Sequence, residues 1–241
     1  MMRKKMRNGI AMIELIFAIV VMGIVMMSAP TLISTAAQSG LVAVQQEAIA
    51  ASSSEIGMIL TRDWDEAGTD ETTESPILIV SNGDSELDMV LAPDGNSSGR
   101  RAGTPTTSSR KSFSSVGSLE RDATLEASFT TDVDVDGDDD IDDFNSDTIT
   151  LTGIRYAQGD LADTSITIDT TVSYITDTPS SGSYNSSILT LNNPFDNNVT
   201  GVTTNIKTIT AQTSSTNLDT NIRLQAFSCN IGTYTLKTRS F

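Results

Sequence analysis

Eight aspartates fall within the twelve residues from Asp132 to Asp143. Carboxylates at that density repel one another unless a cation lies among them, and the hard oxygen set suits calcium. Asp132, Asp134 and Asp136 alternate and Gly137 follows, the spacing of the first half of an EF-hand-type loop. Asp138 supplies a further ligand, and Asp143 falls at position twelve, where glutamate is usual. Asp139 stands where such a loop carries an apolar residue, and no clear helices flank the run. The pattern therefore predicts an isolated aspartate-rich calcium loop that orders the chain around it, weighed against a solvated acidic loop. Calcium is the one cofactor the sequence suggests.

A second carboxylate is conspicuous for the opposite reason. Glu14 is the only charge in the 24 residues from Ile10 to Ile33, which read IAMIELIFAIVVMGIVMMSAPTLI. A helix of that length, rising about 1.5 Å per residue, could cross the roughly 30 Å hydrocarbon core of a bilayer. An acid inside such a segment is costly and calls for a partner. The basic residues Arg3, Lys4, Lys5 and Arg7 precede it, so the leader should stay cytoplasmic and the rest should face outward. A secretory signal has a shorter apolar core and no carboxylate near its start.

The stretch Gly9-Ile10-Ala11-Met12-Ile13-Glu14-Leu15 resembles the cleavage and methylation motif of type IV prepilins and type II secretion pseudopilins. The resemblance covers about residues 1–35. It implies cutting after Gly9 by a prepilin peptidase, N-methylation of Ile10, and Glu14 as the fifth residue of the mature chain. Gly23 also falls where the family commonly has glycine. Ile10 stands where phenylalanine or methionine is commoner, and Pro30 comes one residue before the family's usual proline. The implied partners are other pilin or pseudopilin subunits, packed through the N-terminal helix, and the bacterial inner membrane. The implied location is a single-pass anchor that later enters a periplasmic or cell-surface filament. Physically, a freed α-amino cation can pair with Glu14 of a neighbour, which makes the pair a register device while apolar packing supplies most of the assembly energy.

The elements that carry these groups follow from periodicity. Apolar residues recur at three- and four-residue steps through Leu32, Ala36, Leu41, Val44, Ala48, Ile56 and Leu60, so one helix is expected over about 11–65, bent near Pro30 and weakened at Gly40. Residues 1–9 form the leader, 10–33 the membrane and filament-core helix, and 34–65 its amphipathic continuation. Residues 66–241 are read as a β-rich globular domain with the Asp-rich loop at 132–143. Strand composition appears at 76–81, 87–91, 148–154, 164–174, 187–191, 205–212, 221–228 and 232–239. The predicted fold class is α+β, with a long N-terminal helix packed on an antiparallel sheet.

Composition excludes several function classes. The chain holds 15 Lys and Arg against 31 Asp and Glu, and losing the leader leaves 11 against 31, a formal charge of −20. Such a body repels nucleic acid, and none is expected as a partner. One basic cluster, Arg100, Arg101, Arg110 and Lys111, is read as a solvated loop. There is no histidine, and Cys229 is the single cysteine, which removes His-dependent triads and most zinc sites. Cys229 reads as a small apolar strand residue. No phosphate-binding glycine loop or nucleophile elbow occurs, so no enzymatic activity is expected. The choice lies between a minor pilin or pseudopilin and a membrane-anchored calcium-dependent surface or adhesion protein. If the loop binds calcium, added calcium raises the melting midpoint, and replacing Asp132, Asp134 and Asp136 together by asparagine removes that rise. Equal midpoints with calcium and with chelator leave only the solvated loop.

Overall fold

The computed structural model describes residues 8–68, 77–90, 100–101, 113, 122–129, 138–157, 160–196, 198–216, 218, 220 and 221–232. It resolves an α+β fold: one long N-terminal helix and a C-terminal antiparallel sheet. The chain divides into two compact units, Met1–Glu47 and Ala48–Phe241.

The first unit holds most of helix α1 (Asn8–Ile59, 52 residues). From Leu15 to Gln46 no charged residue interrupts it, and its large apolar side chains between Met12 and Ile33 are exposed. This segment is long and apolar enough to cross a membrane. Pro30 lies inside the helix and deprives the preceding turn of one N–H donor, yet helical backbone continues through it and through Gly40. Hydroxyls on both sides of the proline bond back to the helix: Ser28 donates to the Val25 carbonyl at 3.0 Å, Thr31 to Ser28 at 2.7 Å and Thr35 to Thr31 at 2.8 Å. A polar side chain that satisfies itself on its own helix is tolerable in an apolar setting.

The second unit begins with the last turns of α1, where Ala48, Ser52, Ile56 and Ile59 make one buried stripe at helical spacing. The helix ends at Ile59, earlier than the periodicity suggests. Thr61 and Arg62 bond to the Met58 and Ile59 carbonyls, and Asp63 then leaves the helix to form a parallel bridge with Asp140. That departure carries Trp64 and Asp65 into the interior.

The remaining elements are β1 (Met89–Val90), β2 (Arg100–Arg101), β3 (Thr148–Ala157), β4 (Asp160–Ile175), β5 (Ser181–Gly182), β6 (Leu189–Thr190), β7 (Ile206–Ser215) and β8 (Ile222–Cys229). The main sheet has the order β3-β4-β7-β8, antiparallel throughout. Thr, Ile and Val dominate its strands, as expected for half-buried pleated surface. Side chains alternate faces, so Ile166, Ile168, Val172 and Tyr174 of β4 and Lys207, Ile209, Ala211 and Thr213 of β7 line the buried face. Register places Val172 opposite Ile209 and Tyr174 opposite Lys207. This face meets Ala48, Ile56 and Ile59 of the helix, together with Phe129, Ile141 and Phe144.

The predicted strand at 76–81 is instead a pair of isolated bridges, Ile77 with Phe113 and Ile79 with Asp122. The predicted strand at 232–239 lies, from residue 233 on, outside the described residues. Arg101 corrects the reading of its cluster as a solvated loop. It is half-buried in β2, donates from Nη2 to Asn205 Oδ1 at 2.7 Å, and lies 5.8 Å from the centre of the Phe113 ring. Arg110 and Lys111 fall outside the described residues. Asn205 also donates through its backbone and side chain to Asp177 Oδ2, at 3.1 and 2.6 Å, while Asn230 bonds both backbone groups of Leu78. These contacts tie the 77–90 segment to the sheet. Gly83 is required there, since a Cβ would lie 2.5 Å from Val80 Cγ2 and 2.6 Å from Asn205 Nδ2.

Candidate functional site

Two places carry groups that could do chemistry. In the first unit, the backbone at Gly9 and Ile10 is already helical, since α1 starts at Asn8. Glu14 is exposed one turn further along, amid exposed Met12, Ile13, Leu15, Ile16 and Phe17. The helix thus presents one carboxylate on an otherwise apolar surface, followed by 32 uncharged residues before Glu47.

In the second unit the Asp-rich run divides. Asp132, Asp134 and Asp136 lie outside the described residues. Asp138 is exposed, and Asp143 turns back on its own loop, where its Oδ2 accepts from the Asp139 and Asp140 N–H groups at 3.1 and 3.3 Å. Asp140 is buried, and its Oδ1 accepts from the Asp142 and Asp143 N–H groups at 2.8 and 3.1 Å, starting a short 3-10 turn over Asp142–Phe144. Among the described residues no group of three or more His, Cys, Asp or Glu is arranged to hold a metal ion.

Part of the run faces inward and meets a cation. Lys207 Nζ is 2.5 Å from Asp142 Oδ1 and 2.9 Å from Asp65 Oδ2, and it donates to the Trp64 carbonyl at 2.7 Å. The Lys207 and Asp65 side chains are fully buried and that of Asp142 almost so. The parallel bridge between Asp63 and Asp140 explains how both acids arrive. Two residues further along each segment, Asp65 and Asp142, the latter opening the 3-10 turn, reach the same ammonium.

Aromatic rings close the pocket. The ammonium lies 4.3 Å from the centre of the Trp64 ring, 5.0 Å from Phe129 and 5.5 Å from Tyr174. These separations allow cation–π attraction in a desolvated setting. The Tyr174 hydroxyl donates to the Thr124 carbonyl at 2.7 Å, while Thr124 donates through N–H and Oγ1 to Asp65 at 3.0 and 3.1 Å. Asp65 is therefore held from several sides, while Asp142 is held mainly by the lysine.

Three buried carboxyls share one ammonium. Burial pushes the Asp140 carboxyl up to about 9, the neighbouring Asp142 charge adds to the rise, and Lys207 offsets part of it. Burial likewise raises Asp142, to about 6, against the pull of Lys207. The Tyr174 hydroxyl is also pushed up, first by burial and then by the Asp65 charge. Cys229 closes β8 half-buried, and burial raises its thiol, which suits the inert strand residue rather than a reactive one.

Sequence reading passes over Lys207, Asp65 and Asp142. A signal was available, since Lys207 shares the strand parity of Ile209 and Ala211, and a lysine in phase with buried residues needs an acid partner. Nothing local identifies which of the 31 acids supplies it.

The Asp140 shift fixes a pH dependence. Its folded value lies far above the ordinary carboxyl value of about 3.9, so between about pH 4 and about pH 9 the folded chain holds a proton that the unfolded chain has released. Stability is then lost as pH rises through that window. The melting midpoint of the detergent-solubilised chain, followed by circular dichroism, should fall from about pH 5 to about pH 9. Asp140→Asn, neutral throughout and still an acceptor through Oδ1, should flatten the fall above about pH 6. An unchanged slope in that variant would assign the effect to the overall negative charge.

No protein-family model, curated protein or solved structure matches the chain, so the reading of its function rests on its own residues.

Proposed function

We propose that this chain is a prepilin-type filament subunit, a minor pilin or pseudopilin of a type IV pilus or a type II secretion filament. Its role is structural rather than enzymatic. A prepilin peptidase cuts after Gly9 and leaves Ile10 as the first residue. The remaining 232 residues stay in the bacterial inner membrane through α1, with the body facing outward, until the helix joins a bundle of like helices.

The observation that carries the reading is Glu14. It lies four residues after Ile10, the basic leader precedes it, and 32 uncharged residues follow it. The long exposed apolar surface of α1 between Met12 and Ile33 adds support, because it needs a covering of lipid or of other helices. In lipid a lone carboxylate is expensive, whereas in a helix bundle it can neutralise the α-amino group of the next subunit. A misregistered neighbour would leave both charges unpaired. The mature length of 232 residues and the long loop-like stretches at 66–75 and 93–117 of the sequence suit a minor subunit.

Protein taken from cell membranes should have a mass and N-terminal sequence beginning at N-methylated Ile10. An uncut leader, or a cut beyond Ile33, would refute the reading and favour an anchored calcium-dependent surface protein. Glu14→Val should still insert in the membrane and be processed. Its incorporation into filaments, measured against the wild type in sheared fractions, should fall roughly tenfold or more, because a buried amine loses its partner. Incorporation at the wild-type level would remove the pairing argument while leaving the processing site intact.

A further inference from the structure

The Lys207 cluster holds an amine and two carboxyls in contact and out of water. Nζ lies 2.5 Å from Asp142 Oδ1, in a charge-assisted hydrogen bond. A second carboxylate, Asp65, reaches the same nitrogen at 2.9 Å from another element. Trp64, Phe129 and Tyr174 wall the three groups off from water. A primary amine, a carboxyl in hydrogen-bond contact with it, a proton acceptor and a dry pocket are the components of an amide condensation.

We propose that Lys207 and Asp142 condense into an intramolecular isopeptide bond, with Asp65 carrying the proton between them. Lys207 Nζ attacks Asp142 Cγ once Asp65 has taken one ammonium proton. The new C–N bond forms, a carboxyl C–O bond breaks, and the departing oxygen leaves as water. That water carries two of the ammonium protons, one of them returned by Asp65, and the third remains on the amide nitrogen. An ammonium and a carboxylate thus become one amide and one water, with no change in net charge and no oxidant, nucleotide or other co-reactant.

Three physical terms favour the step here over the same reaction in water. Fixed approach replaces a bimolecular encounter, and well-oriented intramolecular reactions reach effective concentrations of roughly 10⁵ M and above. Two buried charges, expensive in a low-dielectric pocket, become one neutral group. The pocket excludes the water that would reverse the reaction. Asp65 keeps its bonds from Thr124 N and Oγ1 throughout, and its Oδ2 can accept from the amide N–H in place of the ammonium.

The product would tie β7, a central strand, to the short turn that precedes β3, closing a loop of 65 residues. A covalent closure of that length restricts the unfolded chain, and in the buried face it survives where an ion pair would dissociate. The inference does not depend on the N-terminal processing or on filament assembly.

The test is tandem mass spectrometry of a tryptic digest of the full-length protein, purified in detergent and then unfolded in urea. The expected result is an intact mass one water, about 18 Da, below that of the linear chain, together with a digest species that is uncut after Lys207 and gives two N-terminal fragment series, one from Asp122 and one from Tyr156. Lys207→Arg and Asp142→Ala should give only linear peptides. Asp65→Asn should lose most of the branched species while Lys207 and Asp142 remain present. Should these variants fold poorly, the wild type still decides. A wild-type chain that melts cooperatively yet yields only linear peptides overturns the proposal, as does a branch from Lys207 to Asp65.

Discussion

A lysine ammonium buried at the centre of a small sheet constrains everything around it. Lys207 belongs to the inward parity of β7, so its charge cannot reach water without turning the strand over and exposing Ile209 and Ala211. Each structural departure nearby serves that charge. The helix stops at Ile59 and releases Trp64 and Asp65, and the Asp63–Asp140 bridge aligns a second acid-bearing segment beside the first. Tyr174, opposite Lys207, secures Thr124, which in turn holds Asp65. Removing one partner of such a cluster would leave an uncompensated buried charge, a loss of about 3–5 kcal/mol.

This arrangement fits a body with little apolar material to bury. Aromatic residues are 5% of the chain, and three of the few lie around one ammonium. Much of the remaining interior is polar but paired. Ser52 donates to the Ala48 carbonyl and contacts Thr213 Oγ1, while Asn205, Asn230 and Asp177 bond one another and the neighbouring backbone. Directional pairs of this kind specify one packing where a thin apolar core would tolerate several. Charge is also distributed unevenly along the chain, with one carboxylate in the apolar part of α1 and nearly all the others beyond it.

The extent to which the sequence could be read follows from the range of the forces involved. Hydrophobic periodicity is local, and it marked out the four strands of the main sheet to within a few residues and α1 except for its end, which comes at Ile59 rather than near residue 65. The N-terminal segment is local in the same sense, since a basic leader, a glycine, a spaced glutamate and an apolar run are all contiguous. Sequence alone therefore determined the fold class, the long apolar helix, and Gly9, Ile10 and Glu14 as residues to test. Tertiary structure decided what pairing across the chain decides. It drew Asp140 and Asp142 out of an apparently uniform acidic run and left Asp138 outside. It buried Arg101 against Phe113, and it brought Asp65, Asp142 and Lys207 together across sequence separations of 65 and 142 residues. A buried charge selects its partner by position in space, and no spacing along the chain encodes that choice.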